Sequence, residues 1–225
     1  MSKPLIVAAA VWLTACAGGP VPPQWQANTH TALAAHSRAY LLGDDRVAAQ
    51  ELHVARREAA RTGAAEPLAR VELTACALQT ASLSALDECA AMAPLAPDLG
   101  PDLHAYAAYL TGRWAGLDAR LLPEAQRNVP AAPEGAGAVA VLAAIADPLS
   151  RLVAAAGLLR AGRLPPAGIA LAIDTASAQG WRRPLLAWLR FERQRLEQAG
   201  DAGSAAVRQR QIDRVLSSVN YPLNQ

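Results

Sequence analysis

Four glycines constrain this chain more than any other feature. Gly43-Asp44, Gly112-Arg113, Gly162-Arg163 and Gly200-Asp201 each come after a stretch of helical Ala/Leu patterning, and a second such stretch begins within a few residues. Glycine takes positive φ without a Cβ penalty and is favoured just past a helix end. Each of the four therefore predicts the turn of an antiparallel helical hairpin. A fifth turn, without glycine, is expected at Thr80-Ala81-Ser82, with Ser84 and Asp87 placed to cap the next helix. Asp147-Pro148 reads as an N-cap and first helical residue, and Ser204 as the cap of the last helix.

Composition points the same way. Of 225 residues 54 are Ala and 31 are Leu, against 18 Val plus Ile and a single Phe. Ala and Leu are strong helix formers, while sheets draw on β-branched and aromatic residues. That leaves almost no room for an all-β fold and makes a large parallel sheet a poor fit. A 52% apolar content with a net charge of +2 excludes a disordered chain. The length suits one or two domains with a real core.

The turns fall near residues 43, 81, 112, 162 and 200, at intervals in the thirties with one of about 50. The long interval holds a Pro/Gly-rich stretch from Val129 to Gly137 and a short apolar segment from Ala138 to Ala146. A helical-pair period of this size predicts a solenoid, which buries a core by stacking neighbours. The expected fold class is all-α, with about five stacked hairpins. In the second helices a small residue near the turn is followed by apolar residues at spacings of four and three: Ala48, Leu52 and Ala55; Ala85, Cys89 and Met92; Ala167 and Leu171; Ala205. This pattern resembles tetratricopeptide repeats over roughly residues 30–218. The match is degenerate: the first helices mostly lack the Trp, Leu, Gly and Tyr expected there, Leu117 replaces the small residue after the third turn, and only Pro97 clearly closes a repeat. Trp114 fits the aromatic expected near a turn.

The first 16 residues read as an address. Lys3 precedes an apolar run from Leu5 to Leu13 that is too short to cross a bilayer of about 30 Å. Leu13-Thr14-Ala15-Cys16 resembles the bacterial lipobox. The resemblance implies cleavage after residue 15, acylation of Cys16 and, with Ala17 next to it, sorting to the outer membrane. Residues 1–15 are thus expected as a cleaved signal and 16–31 as the lipidated Cys16 with a flexible Pro/Gly tether. Residues 32–220 would form the helical repeat domain and 221–225 a tail. Trp25 in the tether either rests at lipid headgroups or folds back on the body.

Cys76 and Cys89 flank the second turn at similar heights. A periplasmic disulfide there closes a loop of about 14 residues, worth roughly 3 kcal/mol in the chain-entropy model. Two buried thiols are the alternative. No CxxC motif supports redox catalysis. His36 and His53 lie symmetrically about the first turn, with Glu51 or Asp44 nearby, but lack a third convincing metal ligand. No hydrolase motif appears in a plausible context. The expectation is therefore no enzyme, no cofactor, no metal and no small-molecule substrate. Past Lys3 the chain has 20 Arg and 19 acids, a balance that argues against nucleic-acid binding. Residues 182–214 hold eight Arg and four acids, read either as a basic end or as a solvated face with pairs such as Arg193–Glu197.

In tetratricopeptide proteins the first helix of each pair lines a peptide-binding groove. That resemblance places Tyr40, Arg70, Tyr106, Tyr109 and Arg190 on the groove, residue types that anchor interfaces. The expected function is a lipid-anchored, periplasm-facing scaffold or assembly factor that holds an envelope protein at the outer membrane. The alternative is a peptidoglycan-associated enzyme or sugar-binding protein using Asp98, Asp102, Asp118 and Glu124. A purely structural envelope protein is a third reading.

Overall fold

The glycine turns are built alike. In the computed structural model, which describes residues 22–84 and 87–218, Gly43, Gly112, Gly162 and Gly200 take φ of 81°, 78°, 68° and 77°. At each, the next amide reaches back into the preceding helix: Asp44 N–H to Ala39 O at 2.9 Å, Arg113 to Ala108 at 2.9 Å, Arg163 to Leu158 at 2.8 Å and Asp201 to Leu196 at 2.9 Å. These bonds satisfy carbonyls that a helix end leaves open. Gly180 makes the same closure, with Trp181 N–H on Ala176 O at 3.0 Å.

The described residues are all-α, with nine α-helices and no strand. These are α1 (Gln24–Leu42), α2 (Asp45–Ala60), α3 (Ala65–Ala81), α4 (Pro101–Leu110), α5 (Ala136–Ala144), α6 (Pro148–Arg160), α7 (Pro166–Ala178), α8 (Arg182–Gln198) and α9 (Ala202–Ser217). Helices restart where a new cap comes after the turn. Asp44 accepts from Val47 N at 3.1 Å to open α2, and Asp201 from Ser204 N at 2.9 Å to open α9. Asp201, not Ser204, is thus the last cap. Asp147 caps α6 through Ser150 N, as its Asp-Pro signature predicts.

Among the described residues, two of the five expected hairpins have no α-helical second arm. After Ser82 the chain takes a left-handed residue at Leu83 and another at Cys89, with 3-10 turns at Asp87–Met92 and Ala96–Asp98. Pro94 and Pro97 interrupt any α-helical ladder there. The expected position Ala85 lies outside the described residues. After Gly112 a second left-handed glycine, Gly116 at φ 71°, stops a restart, and only short 3-10 turns at Ala119–Leu121 and Glu124–Gln126 come before α5. Complete hairpins are α1/α2, α6/α7 and α8/α9.

The N-terminal boundary also moves. The expected tether to residue 31 is helical from Gln24 onward. Pro23 sits at the N-cap, where no amide is needed. Thr29 Oγ1 bonds Trp25 O at 2.7 Å, and Asn28 Nδ2 donates to Glu58 Oε2 of α2 at 3.2 Å. Trp25 is half-buried on this helix. The signal, Cys16 and residues 219–225 lie outside the described residues.

The centre is a pair of helices packed against each other, α3 and α6. Ala69, Ala77, Ala81, Ala154, Ala155 and Ala156 are buried in their shared core, and these small side chains let the backbones come close. A satellite cluster of Ala32, Ala55, Ala59 and Val71 joins α1, α2 and α3. The last hairpin returns to the first. Trp188 of α8 is fully buried and donates Nε1–H to Ala81 O at 3.0 Å, and Arg183 Nε donates to Tyr40 O at 2.7 Å. In an open solenoid each repeat touches only its neighbours; here α8 packs on α1.

Candidate functional site

The predicted groove residues fall into three places. Arg70 and Tyr106 come together. They line a cavity of about 420 Å³ between α3 and α4. Leu73 and Leu103 belong to its helical side, and Leu121, Leu122 and Pro123 form the opposing wall from a 3-10 turn. Leu121 is 37% exposed, an apolar side chain presented to solvent at the mouth. Arg70 reaches the cavity because it lies one turn before Leu73 and Thr74 on the open side of α3. Its guanidinium holds Glu66 Oε1 at 2.7 Å and stands 3.9 Å from Asp102 Oδ2. Arg70, Glu66 and Asp102 are all exposed, so the pairs are weak and exchangeable. Tyr106 is half-buried, and burial, with the Asp147 charge adding, pushes its phenol up to about 12. It therefore stays a neutral hydrogen-bonding group.

Tyr109 is not a groove residue. It is fully buried, its hydroxyl donating to Gln126 Oε1 at 2.6 Å, and its ring lies between Tyr106 and Trp114 with centroids at 6.2 and 5.3 Å. The reason is helical phase. Tyr106 and Tyr109 are three apart, but α4 turns Tyr109 inward with Leu110 and Leu103. Gly157 of α6 makes room, since a Cβ there would stand 2.7 Å from Trp114 Cζ2.

Tyr40 and Arg190 lie near the α1–α8 junction. Arg183 stacks on the Tyr40 ring with its guanidinium carbon 4.3 Å from the centroid and also pairs with Asp45. Arg190 is exposed and lines a separate cavity with Arg182 and Arg183. Residues 182–214 divide in charge behaviour. Arg193 stands 3.6 Å from Glu197, and Arg195 holds Glu192 at 2.7 Å, whereas Arg182 and Arg190 have no carboxylate partner among the described residues. The stacking of Arg183 on Tyr40 carries no sequence signal beyond an Arg-Pro pair after Gly180.

Cys76 and Cys89 are joined as a disulfide with Cα atoms 5.4 Å apart. It ties the 3-10 turn at Asp87–Met92 to α3. His36 and His53 do not meet. His36 is buried and donates Nδ1–H to Ala48 O at 2.8 Å, while His53 is exposed. Burial is the main cause lowering the His36 pKa. No group of three metal-ligating side chains occurs among the described residues. Asp98, Asp102, Asp118 and Glu124 form no shared cleft: Asp102 lines the Arg70 cavity, Glu124 a different depression, Asp118 pairs with Arg120 and Asp98 is exposed. The carboxylate cluster that an enzymatic cleft built on these four would need is not formed.

No protein-family model matches the chain, and it matches no curated protein and no solved structure.

Proposed function

We propose that the chain is a lipid-anchored scaffold at the bacterial outer membrane, facing the periplasm, whose helical body holds another envelope protein. The anchor rests on the resemblance of Leu13-Thr14-Ala15-Cys16 to a lipobox. The observation that carries the binding role is the cavity between α3 and α4. It has apolar walls, an exposed leucine at its mouth, a tyrosine able to donate or accept, and an arginine held loosely by two carboxylates. A partner segment that brings its own carboxylate exchanges for Glu66 or Asp102 on Arg70, while its apolar side chain covers Leu121. Tyr and Arg beside a small apolar pocket are the usual anchors of a protein interface.

The test is photo-crosslinking in cells from a probe placed at Thr74, which lines the cavity, against a probe at exposed His53 on α2. The expected result is a defined adduct from position 74, weakened by Arg70→Glu and absent from position 53. The same adduct from both positions, or none from position 74, refutes the binding role. Cys16→Ser tests the anchor separately, since it should move the protein from the membrane to the soluble fraction.

A further inference from the structure

A second cavity, of about 310 Å³, lies where α8 meets the first turn of the chain. Arg182, Arg183 and Arg190 of α8 line it, together with Asp45, Ser82 and Ser84. Arg183 and Arg190 are seven residues apart and share one face of the helix. The helix begins here, with Trp181 at its N-cap and no side-chain cap, so the positive end of its dipole adds to the guanidinium groups. Asp45 is the single carboxylate among the residues of the wall, and Arg183 already holds it. Arg182 Nη2 makes only a long bond of 3.5 Å to Gly43 O. The cavity therefore carries two guanidinium groups with no balancing acid among the described residues.

The serine beside them points to the ligand. Ser82 is 4% exposed, and its buried hydroxyl has no hydrogen-bond partner among the described residues. A buried hydroxyl without a partner is a cost that native structures rarely carry. Ser84 Oγ stands 3.4 Å from the Tyr40 hydroxyl, so a second hydroxyl lines the same wall. Guanidinium forks with hydroxyl donors at an uncapped helix start suit a tetrahedral oxyanion with several acceptors. The surplus of two cations suits a charge between −1 and −2.

We propose that this cavity binds a phosphoryl group, presented either by a soluble phosphate ester or by a lipid headgroup. The site goes beyond the scaffold reading and does not rest on it, because it shares no residue with the α3–α4 cavity. Arg182 and Arg190 supply the charge, Ser82 and Ser84 donate their hydroxyls, and Arg183 holds the wall through Tyr40 and Asp45.

The experiment is calorimetric titration of the full chain in non-ionic detergent with three probes: inorganic phosphate, glycerol 3-phosphate and dihexanoyl-phosphatidylglycerol below its micellar concentration. The proposal expects saturable binding of at least one. Binding of the first two assigns a soluble ester, and binding of the phosphatidylglycerol alone assigns a headgroup. Arg190→Gln should weaken binding about tenfold, the loss of one charge-assisted contact. Arg190 is exposed and outside the core, so this variant folds even if Arg182→Gln does not. Ser82→Ala should weaken binding several-fold without lowering the melting temperature measured without phosphate, because its hydroxyl has no protein partner to lose and its removal relieves the cost of burying it. The proposal is overturned if no probe binds at about 10 mM, ten times a dissociation constant of about 1 mM, if Arg190→Gln binds as the parent does, or if an acidic peptide binds where all three phosphates fail.

Discussion

Removing one oxygen from the core should cost more than its size suggests. Tyr109 is fully buried and Gln126 is 1% exposed. The Tyr109 hydroxyl donates to Gln126 Oε1 at 2.6 Å, and Gln126 Nε2 donates to Ser150 O at 3.0 Å. The chain of bonds ties α4 to α6 through a 3-10 turn. Tyr109→Phe keeps the ring and its stacking on Trp114 but leaves Gln126 Oε1 buried without a donor. An orphaned buried acceptor costs about 1–3 kcal/mol. For a chain of this length each kcal/mol moves the melting temperature by about 2–4 °C, so the expected drop lies between about 2 and 12 °C. Burial, with Tyr106 adding, pushes the Tyr109 phenol up, so the hydroxyl remains a donor and the drop should be the same at pH 7 and pH 9. Thermal unfolding by circular dichroism measures it. Adding Gln126→Leu to each background completes a double-mutant cycle, in which a coupling of about 0.5 kcal/mol or more is expected for a direct bond. A Tyr109→Phe variant as stable as the parent, or additive single changes, would refute the bond and with it the inward placement of Tyr109.

The same packing sets three further outcomes. Gly157→Ala places a Cβ 2.7 Å from Trp114 Cζ2, and Trp114 is pinned by Nε1–H on Tyr109 O at 2.9 Å; overpacking of about 1–3 kcal/mol is expected in urea unfolding, and no change would show that the indole moves freely. Reduction of Cys76–Cys89 should lower stability by roughly 3 kcal/mol in the chain-entropy model, with reduced parent and Cys76→Ser/Cys89→Ser unfolding alike; a parent indifferent to reductant refutes the bond. His36 has its pKa lowered from 6.5, first by burial and then by Arg56, against the Ala48 bond and Glu72, which raise it. The unfolded chain therefore binds more protons as pH falls below 6.5, so stability is complete above that value and declines as pH falls through the folded pKa. His36→Asn keeps a donor for Ala48 O and should flatten that decline; an unchanged slope assigns it to other groups.

The helix ends are legible in the sequence because their chemistry is local. A glycine past a helix and an aspartate after it act within six residues, and Gly43-Asp44 and Gly200-Asp201 fold as their neighbours require. The segment after Gly112 is not legible from that glycine alone, because Gly116 and Pro123 decide it by denying a restart. The tether ends early because the bonds that hold Gln24 to Thr31 in a helix include Asn28 to Glu58, thirty residues away. Tyr106 and Tyr109 show the same limit in the candidate site. Both carry the residue type of an interface anchor, and only the phase of α4 against α6 separates the cavity wall from the core. The α8 cavity is hidden for a stronger reason: Arg183 meets Asp45 and Tyr40 across 138 and 143 residues, and no periodicity reports such a contact.

A missing helical arm bears on where the cavity between α3 and α4 lies. A complete hairpin after α4 would lay a second helix over the exposed side of α3 and fill the space beside Arg70. Instead the chain from the 3-10 turn at Ala119–Leu121 to Pro123 forms the opposing wall, with Leu122 buried in the core and Leu121 37% exposed, and the cavity stays open. Closure of the last hairpin on the first has the opposite effect: it creates a cavity rather than leaving one. Trp188 on Ala81 O and Arg183 on Tyr40 O hold α8 where Arg182 and Arg190 line one cavity with Ser82. A ligand held there would bridge α8 and the end of α3, segments that the unfolded chain does not bring together. By linkage it stabilises the closed arrangement by about 2.7 kcal/mol at a hundred times its dissociation constant. The cavity between α3 and α4 shares no lining residue with the α8 cavity, but α3 runs between them, from Arg70 and Thr74 at the first to its C-cap Ser82 at the second.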